Sequence, residues 1–356
     1  MRYVARWQTP QVDIGPGSRP RQSILILQLP RKNSPARRGR RSMPDPIVSS
    51  TPPAEWSAQC ARCHLLFHSS DWIKLLEASF DVKTDYLWDE DTGCGAALSS
   101  FKAGPFRIGY LGFPAGGLVG GIGPDAPTIE HWRSRGGEMS PVAIRIPVSG
   151  FVDVGEFELA YEATPETAIV DLPSWSLDNV SGNHRRDVQK GHRSKLEVMD
   201  ASSDEDAAAV FAIYKETLKR RRGTMRYNAT YFEKLVALAR QRSDIRVMLA
   251  KFDEKISGFT VIVRHGAVAS YLHGGIRLEF RHLQPSALLI HEGIEWAQAQ
   301  GCSSFNLMSS PPGQPSLVWY KEKWGAETRE HRTYVLPLRP SYRLFQAAER
   351  LYRRFR

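Results

Sequence analysis

Long hydrophobic runs are missing from this 356-residue sequence. The longest, Ile24–Leu29, is six residues and is broken by Gln28. That is too short for a bilayer span or for the apolar region of a secretory signal. Cysteine is scarce. Cys60, Cys63, Cys94 and Cys302 are the four present, and they are expected to be reduced thiols in the cytoplasm. Acids are nearly absent from the first 42 positions, which hold ten Lys or Arg and only Asp13 against them. The remaining residues hold 38 Lys or Arg against 37 acids, so the net charge of +10 belongs almost wholly to the tail. A tail of Pro, Arg, Gly and Ser buries no core and binds polyanions weakly, without sequence preference. It is expected to be disordered over residues 1–45, with Met43 as an alternative start.

Two nucleotide signatures are missing as well. Gly109–Gly123 carries Gly112, Gly116, Gly117, Gly120, Gly121 and Gly123, but no Gly-Lys-Ser/Thr ending and no dinucleotide spacing before a helix. It reads as a loop over a cleft rather than a phosphate cradle. No Ser or Cys has a visible base partner, so no covalent intermediate is expected.

What is present suits two domains with real cores: 42% hydrophobic residues and nine Trp. Cys60-Ala61-Arg62-Cys63-His64 matches the short haem-attachment pattern, and with His68 it offers zinc ligands. All four fall within nine residues, against the two separated pairs of a structural zinc site, so no metal is expected. From Cys60 to Phe80 the apolar spacing is helical, capped midway by Ser69 or Ser70. Strand-like runs follow at Asp85–Trp88, Cys94–Phe101, Phe106–Phe113, Val142–Pro147 and Phe151–Glu158, then at Ala168–Leu172. Ser181–Arg193 reads as a helix basic nearly all round, poor for packing and suited to reading phosphate. Ser203–Arg222 is an amphipathic helix with acids first and bases last, which complements its dipole. Tyr231–Arg240 is another helix. Ile245–Lys251 and Ile256–Arg264 form a strand pair around Asp253-Glu254-Lys255.

Tyr271–Gly325 is the most informative stretch. A strand ends in His273-Gly274-Gly275, and a polar loop, Ile276–Gln284, follows. Pro285 opens a helix, Ser286–Gln300, and Ser304–Met308 is a second strand. Trp319-Tyr320-Lys321-Glu322-Lys323-Trp324-Gly325 comes after a Pro/Gly turn. A strand feeding a helix N-terminus makes an anion site, and a neighbouring strand splaying from it makes a slot for a linear acyl donor.

The phrases SGNHRRDVQKGHR (Ser181–Arg193), YKETLKRRRG (Tyr214–Gly223), YFEKL (Tyr231–Leu235), YLHGG (Tyr271–Gly275), RHLQPSALLIHEGIEWAQAQGCSSFNL (Arg281–Leu307) and YKEKWGAE (Tyr320–Glu327) resemble the FemAB-like branch of the GNAT acyltransferases. FHSSDWIKLLEASF (Phe67–Phe80) echoes that family's first half. The resemblance implies an α+β fold of two tandem GNAT-like (acyl-CoA N-acyltransferase) halves, each a mixed, mostly antiparallel sheet flanked by helices. These are placed at 46–175 and 176–356, around a shared cleft. It implies transfer of an acyl or aminoacyl group to an amine. The donor would be acyl-CoA (acetyl-CoA) or aminoacyl-tRNA, and the acceptor a small molecule or a cell-envelope precursor. The loop Ile276–Gln284 departs from the family pattern in lacking the glycine that helps to hold the CoA pyrophosphate.

On this reading His273, at the end of the central strand and titrating near neutrality, is the candidate base or polariser. Lys321 would neutralise developing charge, as the family's lysine at this place is thought to do, with Tyr320 beside it on the substrate. Arg281 and the amides of Ser286 and Ala287 would take a donor phosphate. Asn306 would hydrogen-bond a substrate amide. Asn183, Arg185, Arg186 and Lys190 would read the acceptor or the donor's phosphates. Glu292 reads as a helix-face residue. The arginine-rich, aromatic stretch 342–356 suits either a docked last helix or peripheral contact with the inner face of a membrane. The competing readings are a non-catalytic GNAT-fold module holding a phosphorylated ligand, and nucleic-acid binding through the tail with Arg185 and Arg186.

Overall fold

The computed structural model describes residues 47–354, apart from 90–93, 117–131, 134, 136–137, 153–157, 222 and 224. The basic tail, most of the expected strand Phe151–Glu158 and the glycines from Gly117 to Gly123 lie outside the described residues.

A single twelve-stranded sheet runs through the molecule. Its first part holds β1 (Ile47–Ser49), β2 (Val82–Asp89), β3 (Cys94–Ala103), β4 (Phe106–Leu111) and β5 (Ala143–Val148). Its second part holds β6 (Tyr161–Ile169), β7 (Glu197–Asp200), β8 (Ile245–Phe252), β9 (Lys255–His265), β10 (Val268–Ile276) and β11 (Ser304–Ser309). The long C-terminal strand β12 (Glu327–Pro337) inserts between β5 and β6, antiparallel to both, and welds the two parts. Each part has one parallel pair, β4 with β5 and β10 with β11; the other pairings are antiparallel.

The helices are set by their caps. The helical stretch Cys60–Phe80 divides at the expected cap into α1 (Trp56–Arg62) and α2 (Ser70–Ser79), separated by His64 in the left-handed region and a short 3₁₀ turn. The Ser69 hydroxyl caps α2. Ser181 caps α3 (Gly182–Arg193). Ser203 and Asp206 form a reciprocal capping box on α4 (Asp204–Arg220). Asn228 caps α5 (Ala229–Ala239). Pro285 opens α6 (Pro285–Ala299), which ends before Gly301 at a positive φ that glycine accepts without strain. α7 (Pro315–Glu322) and α8 (Tyr342–Arg354) complete the set. Among the described residues no helix is long and apolar enough to cross a membrane.

Two cores sandwich the second part of the sheet. On one face α2, α4 and α5 pack Trp72, Val210, Ile213, Tyr231 and Phe232 onto Val247, Phe259 and Val261. On the other, α3, α6 and the segment after α7 pack Val188, Leu289, Ile294 and Trp324 onto Ile262, Ala269 and Phe305. α3 is not basic all round. His184, Val188 and Gly191 make a buried stripe, and a Cβ at Gly191 would lie 2.9 Å from the Leu288 Cβ, so glycine is what lets α3 approach α6.

Cys60 sits in an apolar cluster with Trp56 and Tyr86. Burial pushes its thiol up to about 12, so it is not poised as a thiolate ligand.

Candidate active site

The parallel ladder between β10 and β11 is short. Val268, Ala269 and Ser270 pair with Ser304, Phe305 and Asn306, and beyond them the strands part. β10 continues against β9 through Ile276, with an irregularity between Tyr271 and His273. The cause of the parting lies in β11. The Asn306 Oδ1 accepts from the Met308 amide at 2.7 Å, and Met308 adopts a φ of 66°. That conformation costs a non-glycine residue about 1–2 kcal/mol. The turned Met308 carbonyl accepts from the Lys321 Nζ at 2.7 Å, and the Ser310 hydroxyl accepts from the same ammonium at 2.9 Å. Charge-assisted bonds of this kind contribute about 1.5–3 kcal/mol each, enough to hold the kink. Asn306 and Lys321 therefore bracket the end of β11 and keep the notch open.

The notch gives onto a cavity of about 900 Å³ between the two parts of the molecule. Its floor is one face of the central sheet. Glu162, Thr164 and Glu166 of β6 line it at period two, as do Arg329, His331 and Thr333 of β12 and Ser304 and Asn306 of β11. Phe67 and Phe113–Gly116 wall it from the first part, and Arg226–Tyr227 and His273 from the second.

Glu166 is the centre of the floor and was not legible as a site residue. It is 3% exposed. Its Oε2 accepts from the Ser149 hydroxyl at 2.7 Å and the Gly150 amide at 2.9 Å. Its Oε1 accepts from Asn306 Nδ2 at 2.8 Å, with His331 Nδ1 at 3.6 Å. Burial alone would raise its pKa. The interactions with His331, Asn306 and Ser149 outweigh burial and hold the carboxyl below its usual range.

His273 does not fit the role of base. It is buried among Tyr214, Tyr227, Tyr231 and Phe232, and its Nε2 hydrogen-bonds the Tyr231 hydroxyl at 2.9 Å. Burial drives its pKa down to about 3, so it is a neutral wall residue at pH 7. Asn306 is largely spent on Glu166 and Met308 and shapes the notch before it touches any substrate. Lys321 is buried, and its pKa falls to about 8 by burial, opposed by the charge of Glu166.

Tyr320 on α7 is half-buried against the core that holds Trp324. His184 Nε2 donates to its carbonyl at 3.1 Å, which fixes α7 and hence Lys321 against α3. His184 was missed in the sequence, as one histidine in a basic run carries no positional signal. The expected phosphate readers on α3 divide. Arg185 is tied to Asp178 at 3.3 Å and to the Val180 carbonyl, so it braces the preceding turn. Asn183, Arg186 and Lys190 lie on the exposed face and do not line the cavity, and Arg186 donates to Asn183.

At the donor end, the loop after β10 forms a 3₁₀ turn, Leu278–Leu283, and Gln284 in the left-handed region leads into α6. The first-turn amides of Ser286 and Ala287 have no intrahelical acceptor, and Arg281 is exposed beside them. Thr217 Oγ1 is buried without a hydrogen-bond partner, next to Gly275. These groups fit a polar donor arm and one phosphate. The loop Ile276–Gln284 that precedes them holds no glycine.

Residues 179–314 match the acetyltransferase (GNAT) domain family. No curated protein matches the sequence. Among solved structures, FemX superposes with a TM-score of 0.61 at 13% identity, covering 85% of this chain and 100% of FemX. The C-terminal domain of an Agrobacterium fabrum protein described as a lysylphosphatidylglycerol synthetase gives 0.51 at 16% identity, covering 84% and 96%. A tandem GNAT protein from the clavulanic acid biosynthesis pathway gives 0.50 at 13%, covering 83% and 98%. Residues 179–314 thus match a GNAT acetyltransferase domain, and the chain as a whole shares the tandem α+β fold of FemX.

Proposed function

We propose that this protein is an N-acyltransferase that moves an acyl or aminoacyl group from an activated donor to an amine lying in the cleft. The observation that carries the reading is the early end of the β10–β11 ladder, opening onto a polar-floored cavity whose lining residues Met308 and Ser310 are held by the buried Lys321 ammonium. Acyl transfer needs a neutral amine, a stabilised carbonyl oxygen and attack distance between them. The Lys321 ammonium supplies charge stabilisation at the notch. The Glu166 carboxylate on the floor attracts a cationic acceptor and orients it. His273 and Tyr231 form a neutral hydrogen-bonding wall. The amine forms the new C–N bond as the donor's C–S or C–O bond breaks, and its proton passes to the departing thiolate or alkoxide. When bound, a CoA thioester or an aminoacyl-tRNA ester supplies the activated carbonyl; Ser286, Ala287 and Arg281 would hold its phosphate.

The acceptor is proposed to be a polar amine such as a cell-envelope precursor. In support, α8 exposes Leu344 and Leu351 on one side, flanked by Arg343 and Arg350, a face suited to an anionic membrane surface. The test is a mass-spectrometric screen of the full-length protein with acyl-CoAs and aminoacyl-tRNAs against amine acceptors that include envelope precursors. The expected result is product from one donor class, reduced at least about 100-fold in Lys321→Ala. Thermal stabilisation by donors with no product from any pair would replace the enzyme by a non-catalytic binding module.

A further inference from the structure

On the sheet face opposite the cleft, α3 packs on α6 and two imidazoles meet two carboxylates. His192 lies at the end of α3; His291 and Glu292 lie in the middle of α6. One ligand atom from each of these three falls within 4.8 Å of the others. The two rings are 5.9 Å apart and nearly perpendicular. His291 is 8% exposed, and its Nδ1 is buried with no hydrogen-bond partner. The nearest carboxylate oxygen, Glu295 Oε2, is 3.5 Å away, beyond hydrogen-bond range. Trp175 closes the apolar side, its ring 6.1 Å from that of His291. Gly191 makes the juxtaposition possible by letting the helices touch one residue before His192.

We propose that His192, His291 and Glu292 bind a divalent transition-metal ion of the zinc class, with Glu295 in reach as a fourth ligand. Imidazole with carboxylate suits zinc, cobalt, nickel or copper, whereas magnesium and calcium prefer all-oxygen shells. A tetrahedral zinc holds its ligand atoms about 3.3 Å apart, so the cluster must contract by roughly 1.5 Å. His192 is exposed and free to supply that by a rotamer change, while the buried His291 stays fixed. The ion would clip α3 to α6. α3 carries His184, which holds α7, and α6 carries the amides of Ser286 and Ala287, so the clip stiffens both supports of the notch. The site stands independently of any acyl-transfer reading.

The test uses full-length protein stripped with a chelator and titrated with Zn²⁺, Co²⁺ and Mg²⁺. Zn²⁺ should bind at one equivalent, tighter than about 10 µM, and a hundredfold excess over Kd should raise the Tm by about 5 °C. Mg²⁺ should do neither. Co²⁺ should give visible d–d bands without the near-ultraviolet thiolate band that Cys60 and Cys63 would produce. His192→Ala and Glu292→Gln should keep the metal-free Tm and weaken Zn²⁺ binding at least about 100-fold and 10-fold, respectively. No Zn²⁺ response at about 100 µM, wild-type affinity in His192→Ala, or a dominant thiolate band would each overturn the site.

Discussion

Lys321→Met removes an ammonium whose pKa burial has pulled from 10.5 to about 8. A gap of about 2.5 units corresponds to about 3.4 kcal/mol between the two protonation states. The sign follows from counting protons. Between about pH 8 and 10.5 the unfolded chain still holds a proton that the folded chain has released, so Lys321 makes wild-type stability rise with pH across that window. The methionine variant lacks the rise. Burial holds Tyr227, Tyr231 and Tyr271 above their ordinary range, which lowers stability as pH climbs past about 10, equally in both proteins. Urea unfolding of both proteins at several pH values, subtracted one from the other, therefore isolates the lysine. Wild type should gain about 3 kcal/mol on the variant across the window. A difference flat to within about 1 kcal/mol would refute the lowered pKa and show that the bonds to Met308 and Ser310 offset the burial of the charge. The proposed role requires the charged form, so turnover should fall about tenfold per pH unit above about 8. A rate that rises through that pH would make Lys321 a base instead.

Glu166→Ala leaves Asn306 Nδ2, the Ser149 hydroxyl and the Gly150 amide without their acceptor, and should lower stability by about 2–4 kcal/mol in urea unfolding. Because the folded pKa of Glu166 lies below 4.5, its contribution is present above that pH and is lost as pH falls through the folded value, a decline the alanine variant should lack. Gly191→Ala places a methyl 2.9 Å from Leu288 Cβ and should cost about 1–3 kcal/mol, more than the helix-propensity gain of up to about 1 kcal/mol. The His273 imidazole should remain neutral at pH 5 in an NMR titration, since its pKa is held near about 3; protonation near pH 6.5 would show that its aromatic box is open to water.

The second half was legible where burial and capping coincide with simple periods. Ser203 with its three acids placed the start of α4, and Asp253 and Glu254, both at positive φ, make the tight turn between β8 and β9. α6 followed by β11 was read to within a residue. Tyr161–Thr167 of β6, and β12 throughout, were not read as strands. The reason is physical. Their inward face lines a polar cleft, so Glu162-Thr164-Glu166 and Arg329-His331-Thr333 are polar, and they alternate with Ala163 and Pro165 or Glu330 and Arg332 rather than with large aliphatic residues. Period two survives there, but it carries no hydrophobic signal. α3 was read as a helix, but its packed face was not, for a related reason: the stripe is His184, Val188 and Gly191. The notch itself was foreseen from strand order. The bracket that opens it depends on Asn306 turning back onto Met308, a contact that spacing does not reveal.

The same parallel motif occurs in the first half, and its fate explains why chemistry is assigned to the second. Ile108, Gly109 and Tyr110 of β4 pair with Ala143, Ile144 and Arg145 of β5, and there the ladder stops. At that last step the Arg145 guanidinium lies 5.7 Å from the Tyr110 ring centroid and 3.6 Å from Glu349 Oε1 on α8. Arg145 is 5% exposed, and α8 packs Tyr342 and Phe345 against Ile108, Val142 and Phe106. The last helix thus closes the first notch with a buried ion pair, while Lys321 keeps the second open. Removing one partner of such a pair costs about 3–5 kcal/mol when the other charge is left uncompensated. Glu162 also attracts Arg145, so Glu349→Ala should fall at the low end of that range. Limited proteolysis should then cut within α8 faster than in wild type, while turnover by the folded fraction stays unchanged. Loss of turnover at full stability would mean that the first notch takes part in the reaction, and the division of labour argued from the two ladders would fail.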